Sequence, residues 1–266
     1  MSIPARLVFQ HPARQAKAYV SAFDVSVILP CYNEAGYLQH AVETIREVLE
    51  QTRYSYEIII VEDESTDGTG AIAKSLSERF ENVVWLHRNG RGGRGSAVAH
   101  AIGLARADIC GFIDVDLETP AHYIPALILA IEKGADVSSA VRVFKVNRYQ
   151  LVRFPKLVVH YGAMVLIRRL LRIPLQDTEA GCKFFRRERI LPVLGSIKDH
   201  HWFWDTESIV RPYYEGHRIE EIQTLFIPDY SRESKVHLVL DSIAHFAKLL
   251  EFRREIKRTY WNRDRC

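Results

Sequence analysis

Between residues 25 and 140 the chain alternates short β-branched runs with longer stretches of helical periodicity. The runs cover 25–29, 56–61, 83–87, 109–113 and 136–141, and the stretches between them include 37–50 and 97–107. Few folds accommodate that order, because every parallel strand pair needs a crossover of a dozen or more residues, usually a helix. The pattern therefore predicts an α/β fold with a mostly parallel, twisted sheet flanked by helices. A length of 266 residues with 47% hydrophobic and 26% charged side chains suits one such domain with a substantial core. In these sheets ligands collect at the carboxyl ends of the strands, so the residues just after each run carry the most information.

Those residues are acidic. The first run is followed by Pro30-Cys31-Tyr32-Asn33-Glu34, the second by Glu62-Asp63-Glu64-Ser65-Thr66-Asp67-Gly68, and the fourth by Asp114-Val115-Asp116-Leu117-Glu118. Crowded carboxylates repel one another unless a cation or hydrogen-bond donors offset them. Asn33, Ser65, Thr66 and Asp67 are also residue types that cap helices. Capping does not account for Asp114 and Asp116 together. In an extended strand end, side chains alternate with period two, so Asp114 and Asp116 should share a side and Glu118 should continue the set. Hard oxygen ligands of this kind suit Mg2+ or Mn2+, which bridge substrate phosphates and stabilise a departing diphosphate.

Other classes fare less well. Cys31, Cys110, Cys182 and Cys266 form no CxxC pair, so neither a zinc site nor a disulfide framework is expected, and a reducing compartment fits best. Residues 1–24 read as an N-terminal extension without an apolar signal core, and no stretch has the ~18 uncharged apolar residues of a membrane span. Gly90-Arg91-Gly92-Gly93-Arg94-Gly95 matches the dinucleotide-binding pattern G-x-G-x-x-G, which would make the chain an NAD-dependent oxidoreductase. Against that, the match falls in the third strand–helix unit, not the first, and would leave the other acidic clusters idle.

Net charge is only +3, yet Arg142, Lys145, Arg148, Arg153, Lys156, Arg168, Arg169 and Arg172 lie between residues 137 and 176 without one Asp or Glu. Such a segment suits phosphates or an anionic membrane surface, and no nucleic-acid partner is expected. Further on, a helix is predicted over 149–172, an aromatic patch at 201–205, two short strands at 217–222 and 224–227, and an amphipathic helix over 237–258. Val239, Ile243, Phe246 and Leu250 form that last helix's apolar stripe, and Tyr260 and Trp261 follow it. It could pack on the core or lie on lipid.

Val27-Ile28-Leu29-Pro30-Cys31-Tyr32-Asn33-Glu34, the run 61–69, Gly93-Arg94-Gly95-Ser96-Ala97 and Asp114-Val115-Asp116 resemble, in order, the motifs of inverting family 2 glycosyltransferases of GT-A fold. Asp177-Thr178-Glu179-Ala180-Gly181-Cys182-Lys183-Phe184, Trp202-Phe203-Trp204-Asp205-Thr206-Glu207 and Ser231-Arg232-Glu233-Ser234-Lys235-Val236 narrow the resemblance to the polyprenyl- or dolichyl-phosphate mannose and glucose synthases.

The resemblance implies a metal-dependent hexosyltransferase that moves sugar from a UDP- or GDP-linked donor to a polyprenyl phosphate. It implies a catalytic domain over 25–236, with 237–266 as a C-terminal helix and basic tail. Pro30, Tyr32, Glu34, Asp63, Arg94 and Asp114 would bind the nucleotide, and Asp114, Asp116 and Glu118 the Mg2+ or Mn2+. Glu118 stands where the mannose-synthase branch usually has Gln, and Glu62 and Glu64 where the family more often has Asp and Gly. Arg142, Arg148, Arg153, Arg232, Ser234 and Lys235 would contact the acceptor phosphate. A lipid phosphate needs little help from a base. A neutral hydroxyl on a soluble glycan or small molecule would need one, with Asp177 the candidate. A non-catalytic membrane-surface module is the remaining reading. Many members carry membrane spans after the catalytic part; with none visible here, a cytoplasmic location is expected, with peripheral membrane contact or a membrane-protein partner as the routes to a lipid.

Overall fold

The structure, a computed structural model, describes residues 22–90, 92–144, 154–228 and 238–262. Seven strands form one sheet: β1 (Phe23–Cys31), β2 (Tyr56–Asp63), β3 (Val83–Arg88), β4 (Ala107–Ile113), β5 (Val137–Phe144), β6 (Cys182–Arg186) and β7 (Ile219–Phe226). Their order is β3-β2-β1-β4-β6-β5-β7. Only β6 runs antiparallel to its neighbours β4 and β5. The carboxyl ends of the other six therefore share one edge, together with the start of β6.

The strands read as nearly continuous apolar runs because both faces are covered. Period-two alternation sends Val25, Val27 and Leu29 of β1 into one core and Ile28 into the other. Helix α1 (Leu38–Glu50) buries Leu38, Ala41, Val42, Ile45 and Leu49, the spacing of a single helical face. With α2 (Thr69–Arg79) and α4 (Ile124–Glu132) it covers one side of the sheet. The other side carries α3 (Arg94–Leu104), α5 (Phe154–Leu171), α6 (Arg187–Leu194), α7 (Trp204–Tyr214) and α8 (Leu238–Ile256).

The fold departs from expectation at three places. The two short strands at 217–222 and 224–227 are one strand, β7, paired in register with β5 from Val137↔Ile219 to Phe144↔Phe226. Residues 182–186, read only as a motif, form the interior strand β6 between β4 and β5, and the aromatic patch opens helix α7. The last helix packs on the core through Leu249, Phe252 and Ile256 and not through the expected stripe, of which Phe246 is exposed and Leu250 half-buried, while the side chains of Val239 and Ile243 lie outside those described. Tyr260 stacks on Tyr214 at 5.1 Å and Trp261 donates its indole N–H to the Tyr214 hydroxyl at 2.9 Å, so both rings, half-buried, pack against the protein. Among the described residues, no helix is long and apolar enough to cross a membrane.

Candidate active site

Chain order places the site. From β1 the chain builds β2 and β3 to one side, then returns to lay β4 on the other, so the order reverses between β1 and β4. A crevice opens beyond the carboxyl ends at such a switch point. The loops that meet there follow β1, β2 and β4, and each contains a non-glycine residue with positive φ: Asn33 (53°), Glu64 (55°) and Leu117 (51°). Left-handed backbone at a leucine or glutamate costs energy and persists only where surroundings impose it, a common signature of functional loops.

The first two loops are knitted to each other. Asn33 Oδ1 accepts the Thr66 N–H at 2.8 Å, Ser65 Oγ accepts the Asn33 N–H at 3.0 Å, and Asp67 Oδ2 accepts the Ala35 N–H at 3.0 Å. Neither α1 nor α2 has a side-chain bond from its N-cap position. The cap reading of Asn33, Ser65 and Thr66 is therefore replaced by a cross-link between loops, to which the Glu34 N–H adds a bond to Thr69 Oγ1 at 2.8 Å, with Tyr32 and Glu34 on the loop after β1. Pro30, half-buried, pairs in register with Val61.

Asp63 is 6% exposed at the end of β2. Its Oδ2 accepts the Gly93 N–H at 3.1 Å. Its Oδ1 lies 3.6 Å from Nη1 of Arg88, and these two buried atoms have no hydrogen-bond partner. Arg88 is otherwise held by Ser96 Oγ at 2.9 Å from Nη2. A Cβ on Gly92 would fall 2.2 Å from that Nη2, so a larger residue there would displace the Arg88 side chain. Buried polar atoms are nearly always paired, and an adjacent acceptor and donor left open at a strand edge suit a planar ligand that presents the complement. Arg88 ends β3 just before the glycine run; its strand-end position was the available signal, and the motif reading passed over it.

The Asp-x-Asp segment is not extended. β4 stops at Ile113, the Asp114 N–H donates to the Gly181 carbonyl at 3.0 Å, and the Leu117 N–H closes a turn onto the Asp114 carbonyl at 3.1 Å. The three carboxylates do not continue one another as period-two side chains would. Among the described residues no group of three or more His, Cys, Asp or Glu side chains is gathered to hold a metal. Asp114 turns to Arg94, whose Nε and Nη2 donate to Asp114 Oδ1 at 2.8 and 2.6 Å. Asp116, half-buried, accepts the Glu118 N–H at 3.3 Å. Hard carboxylates still fit Mg2+ or Mn2+, because such ions take one or two carboxylates and complete their shell with phosphate and water.

Arg94, expected among the nucleotide ligands, spends its donors inside the protein. Besides Asp114 it holds Asp205 of α7 through Nη1 at 2.9 and 2.8 Å, and its guanidinium lies between the rings of Phe112 and Trp202, 5.0 and 5.1 Å away. Burial alone would lower its pKa, but Asp114 and Asp205 hold it well above the ordinary arginine value. Asp205 lay inside a quoted motif without a role; the structure makes it the counter-charge that fixes Arg94. Lys183 on β6 is fully buried and donates to the Ala180 carbonyl at 2.6 Å, with burial depressing its pKa.

At the end of β5, Arg142 grips Asp177. Nε donates to Oδ2 at 2.7 Å, Nη2 to Oδ1 at 2.9 Å, and the Arg142 backbone N–H to Oδ2 at 3.1 Å. The Glu179 N–H adds a fourth bond at 3.1 Å. Burial would raise the Asp177 pKa, yet Arg142 overrides it and holds it at about 2. A carboxylate so engaged and so weakly basic is ill-suited to take a proton, so the general-base reading of Asp177 gives way to one in which it positions Arg142. Glu179 lies 3.8 Å from Arg142 and 2.7 Å from Nε2 of His245, which brings α8 to the edge of the site. Arg148, Arg153, Arg232, Ser234 and Lys235 lie outside the described residues.

A seven-stranded, mostly parallel sheet with carboxylates at its switch point is the architecture of a GT-A fold. The chain belongs to glycosyl transferase family 2, whose pattern matches residues 26–191. Its sequence is 31% identical over 250 residues to the glycosyltransferase AglD of Haloferax volcanii, covering 93% of this chain and 39% of that protein. It is 28% identical over 240 residues to the dolichol-phosphate mannosyltransferase of Pyrococcus furiosus, covering 88% of this chain and 66% of that one. The chain thus spans 39% and 66% of the lengths of these relatives. Among solved structures, glucosyl-3-phosphoglycerate synthase from Mycobacterium tuberculosis in complex with Mn2+, UDP and phosphoglyceric acid superposes with a TM-score of 0.64 at 16% identity, covering 89% of this chain and 78% of that one. At that identity the likeness speaks for the fold.

Proposed function

We propose that the chain transfers a hexose, with inversion, from a nucleotide-sugar to a polyprenyl phosphate at a membrane surface. The observation that carries this reading is the convergence of Asp63, Asp114, Asp116 and the Arg142–Asp177 pair on one edge of the sheet, in a family 2 chain similar to a dolichol-phosphate mannosyltransferase.

The base would sit at Asp63 and Arg88, between the knitted loops and the glycine run. One carboxylate oxygen remains open, because Gly93 occupies the other. Uracil offers one N–H beside a carbonyl, which matches; guanine offers two adjacent N–H groups that a carboxylate would meet best with both oxygens. The UDP-linked donor is therefore favoured over the GDP-linked one. Asp114 and Asp116, with Glu118 beside them, are the residues that would hold Mg2+ or Mn2+, whose chemistry when bound offsets charge on the leaving diphosphate. Arg94 keeps Asp114 aimed at the crevice.

Arg142, ionised and fixed by Asp177, would orient the acceptor phosphate by charge-assisted hydrogen bonds. An oxygen of that phosphate attacks C1 of the sugar as the C1–O bond to the diphosphate breaks. The attacking oxygen is already anionic, so no proton needs removing, in keeping with the weak basicity of Asp177. Incubation with Mn2+, labelled UDP- and GDP-sugars and short polyprenyl phosphates should give an organic-soluble sugar lipid; transfer only to soluble hydroxyl acceptors would overturn the assignment.

A further inference from the structure

Trp202 is the most exposed large apolar side chain among the described residues, at 57%. Nothing in its surroundings makes that exposure a fraying end. The His200 carbonyl accepts the Ser96 N–H of α3 at 3.0 Å, and the Trp202 carbonyl accepts the Asp205 N–H at the start of α7 at 3.3 Å. The loop presses so closely on the glycine run that a Cβ on Gly93 would fall 2.4 Å from the His200 carbonyl oxygen. One patch of the indole rests on the Arg94 guanidinium, which also holds Asp114. A fixed loop thus presents a largely bare aromatic ring beside the carboxylate proposed to face the donor diphosphate.

Leaving an indole in water forgoes the burial energy that aromatic side chains normally contribute. A ring that is anchored yet more than half exposed, one guanidinium away from the Asp114 carboxylate, suits a ligand with one apolar face and a polar perimeter. A pyranose is such a ligand: its axial C–H bonds form a flat apolar face, while its hydroxyls point outward. The cation beneath the indole draws on its π-density and fixes its plane.

We propose that Trp202 is the platform on which the hexose of the donor stacks, a specificity-determining contact that rests on the donor-site reading above. It selects pyranoses with an uninterrupted C–H face and does not touch the nucleoside. The test is calorimetric, with Mn2+ present and UDP, UDP-glucose, GDP and GDP-mannose as probes, on the wild type, Trp202→Ala and Trp202→Phe. For the pair that the wild type binds, Trp202→Ala should weaken the nucleotide-sugar about 10-fold, equivalent to about 1.4 kcal/mol. The matching nucleoside diphosphate should stay within about 2-fold. Trp202→Phe should recover most of the loss, and the three proteins should differ little in unfolding temperature because the ring is more than half exposed and gives up a single cation–π contact. Equal weakening of diphosphate and sugar, or of neither, overturns the platform and leaves the donor site standing. If the wild type binds none of the four probes, the donor-site reading falls and the platform falls with it.

Discussion

Replacing Asp177 by Asn separates two roles that a buried carboxylate can play. The side chain is nearly the same size, so the change removes charge and one acceptor without opening a cavity. In the folded protein the Asp177 carboxyl is held at about 2 against an ordinary 3.8. At 1.36 kcal/mol per decade, that difference corresponds to roughly 2 to 3 kcal/mol of folding free energy from the ionised form. The side chain is only 3% exposed, so solvent screening takes little from this figure. Breaking a buried pair by removing one partner costs about 3 to 5 kcal/mol when the other charge is stranded. Glu179 remains 3.8 Å from Arg142, which argues for the lower end. Urea unfolding at pH 7 should therefore show Asp177→Asn less stable by about 2 to 3 kcal/mol. Because the folded pKa is depressed, this contribution is fully present above about pH 4 and fades as pH falls towards 2. The gap between the two proteins should close across that window. Transfer by the variant should slow through poorer acceptor binding, with the pH dependence of kcat unchanged above pH 5. A stability gap near zero at neutral pH would refute the ion-pair account, and abolished transfer with normal acceptor binding would restore Asp177 as a base.

Three further outcomes follow from the same geometry. Arg94→Lys keeps the charge but cannot fork onto both Asp114 and Asp205; transfer should fall at least about 10-fold, following the tenfold-per-1.4 kcal/mol scale for one lost charged contact, and wild-type steady-state kinetics in the variant would count against a positioning role. Gly181→Ala would set a Cβ 1.8 Å from Asp114 Oδ2; activity should collapse while calorimetry shows weaker nucleotide binding, and an active variant would mean Asp114 need not hold its position. Stripping divalent ions with EDTA should stop transfer and added Mn2+ or Mg2+ should restore it; undiminished turnover in EDTA would remove the metal from the proposal.

The sheet was legible because its signals are local. Runs of Ile and Val that alternate with helical periodicity reveal β1 to β5 from sequence neighbours alone, whereas the switch point depends on the spatial order of the strands, which only the fold supplies. β6 was missed for a physical reason. It is five residues long with Lys183 at its second position, which reads as a polar interruption. The burial of that lysine depends on a carbonyl at Ala180 and on carboxylates brought by other elements, including Asp205 of α7. Likewise β7 read as two strands, since its exposed Gln223 hides a continuous pairing that only β5 supplies.

The site divides along the same line. Carboxylates at strand ends are visible in a string of letters, and Asp63, Asp114 and Asp116 were found that way. What a string does not contain is which of them are already paired. Arg94 reaches Asp114 across 20 positions and Asp205 across 111, and Arg142 reaches Asp177 across 35. These pairings engage Arg94 and Asp177 within the protein, and under the proposed function the two would aim Asp114 and Arg142. Asp114 and Arg142, which the proposal gives to donor and acceptor, are each backed by a buried opposite charge, so both keep their orientation without a ligand present. Charge held in place before substrate arrives needs no reorganisation when charge shifts from the sugar to the leaving diphosphate, and electrostatic stabilisation of a transition state depends on that preorganisation.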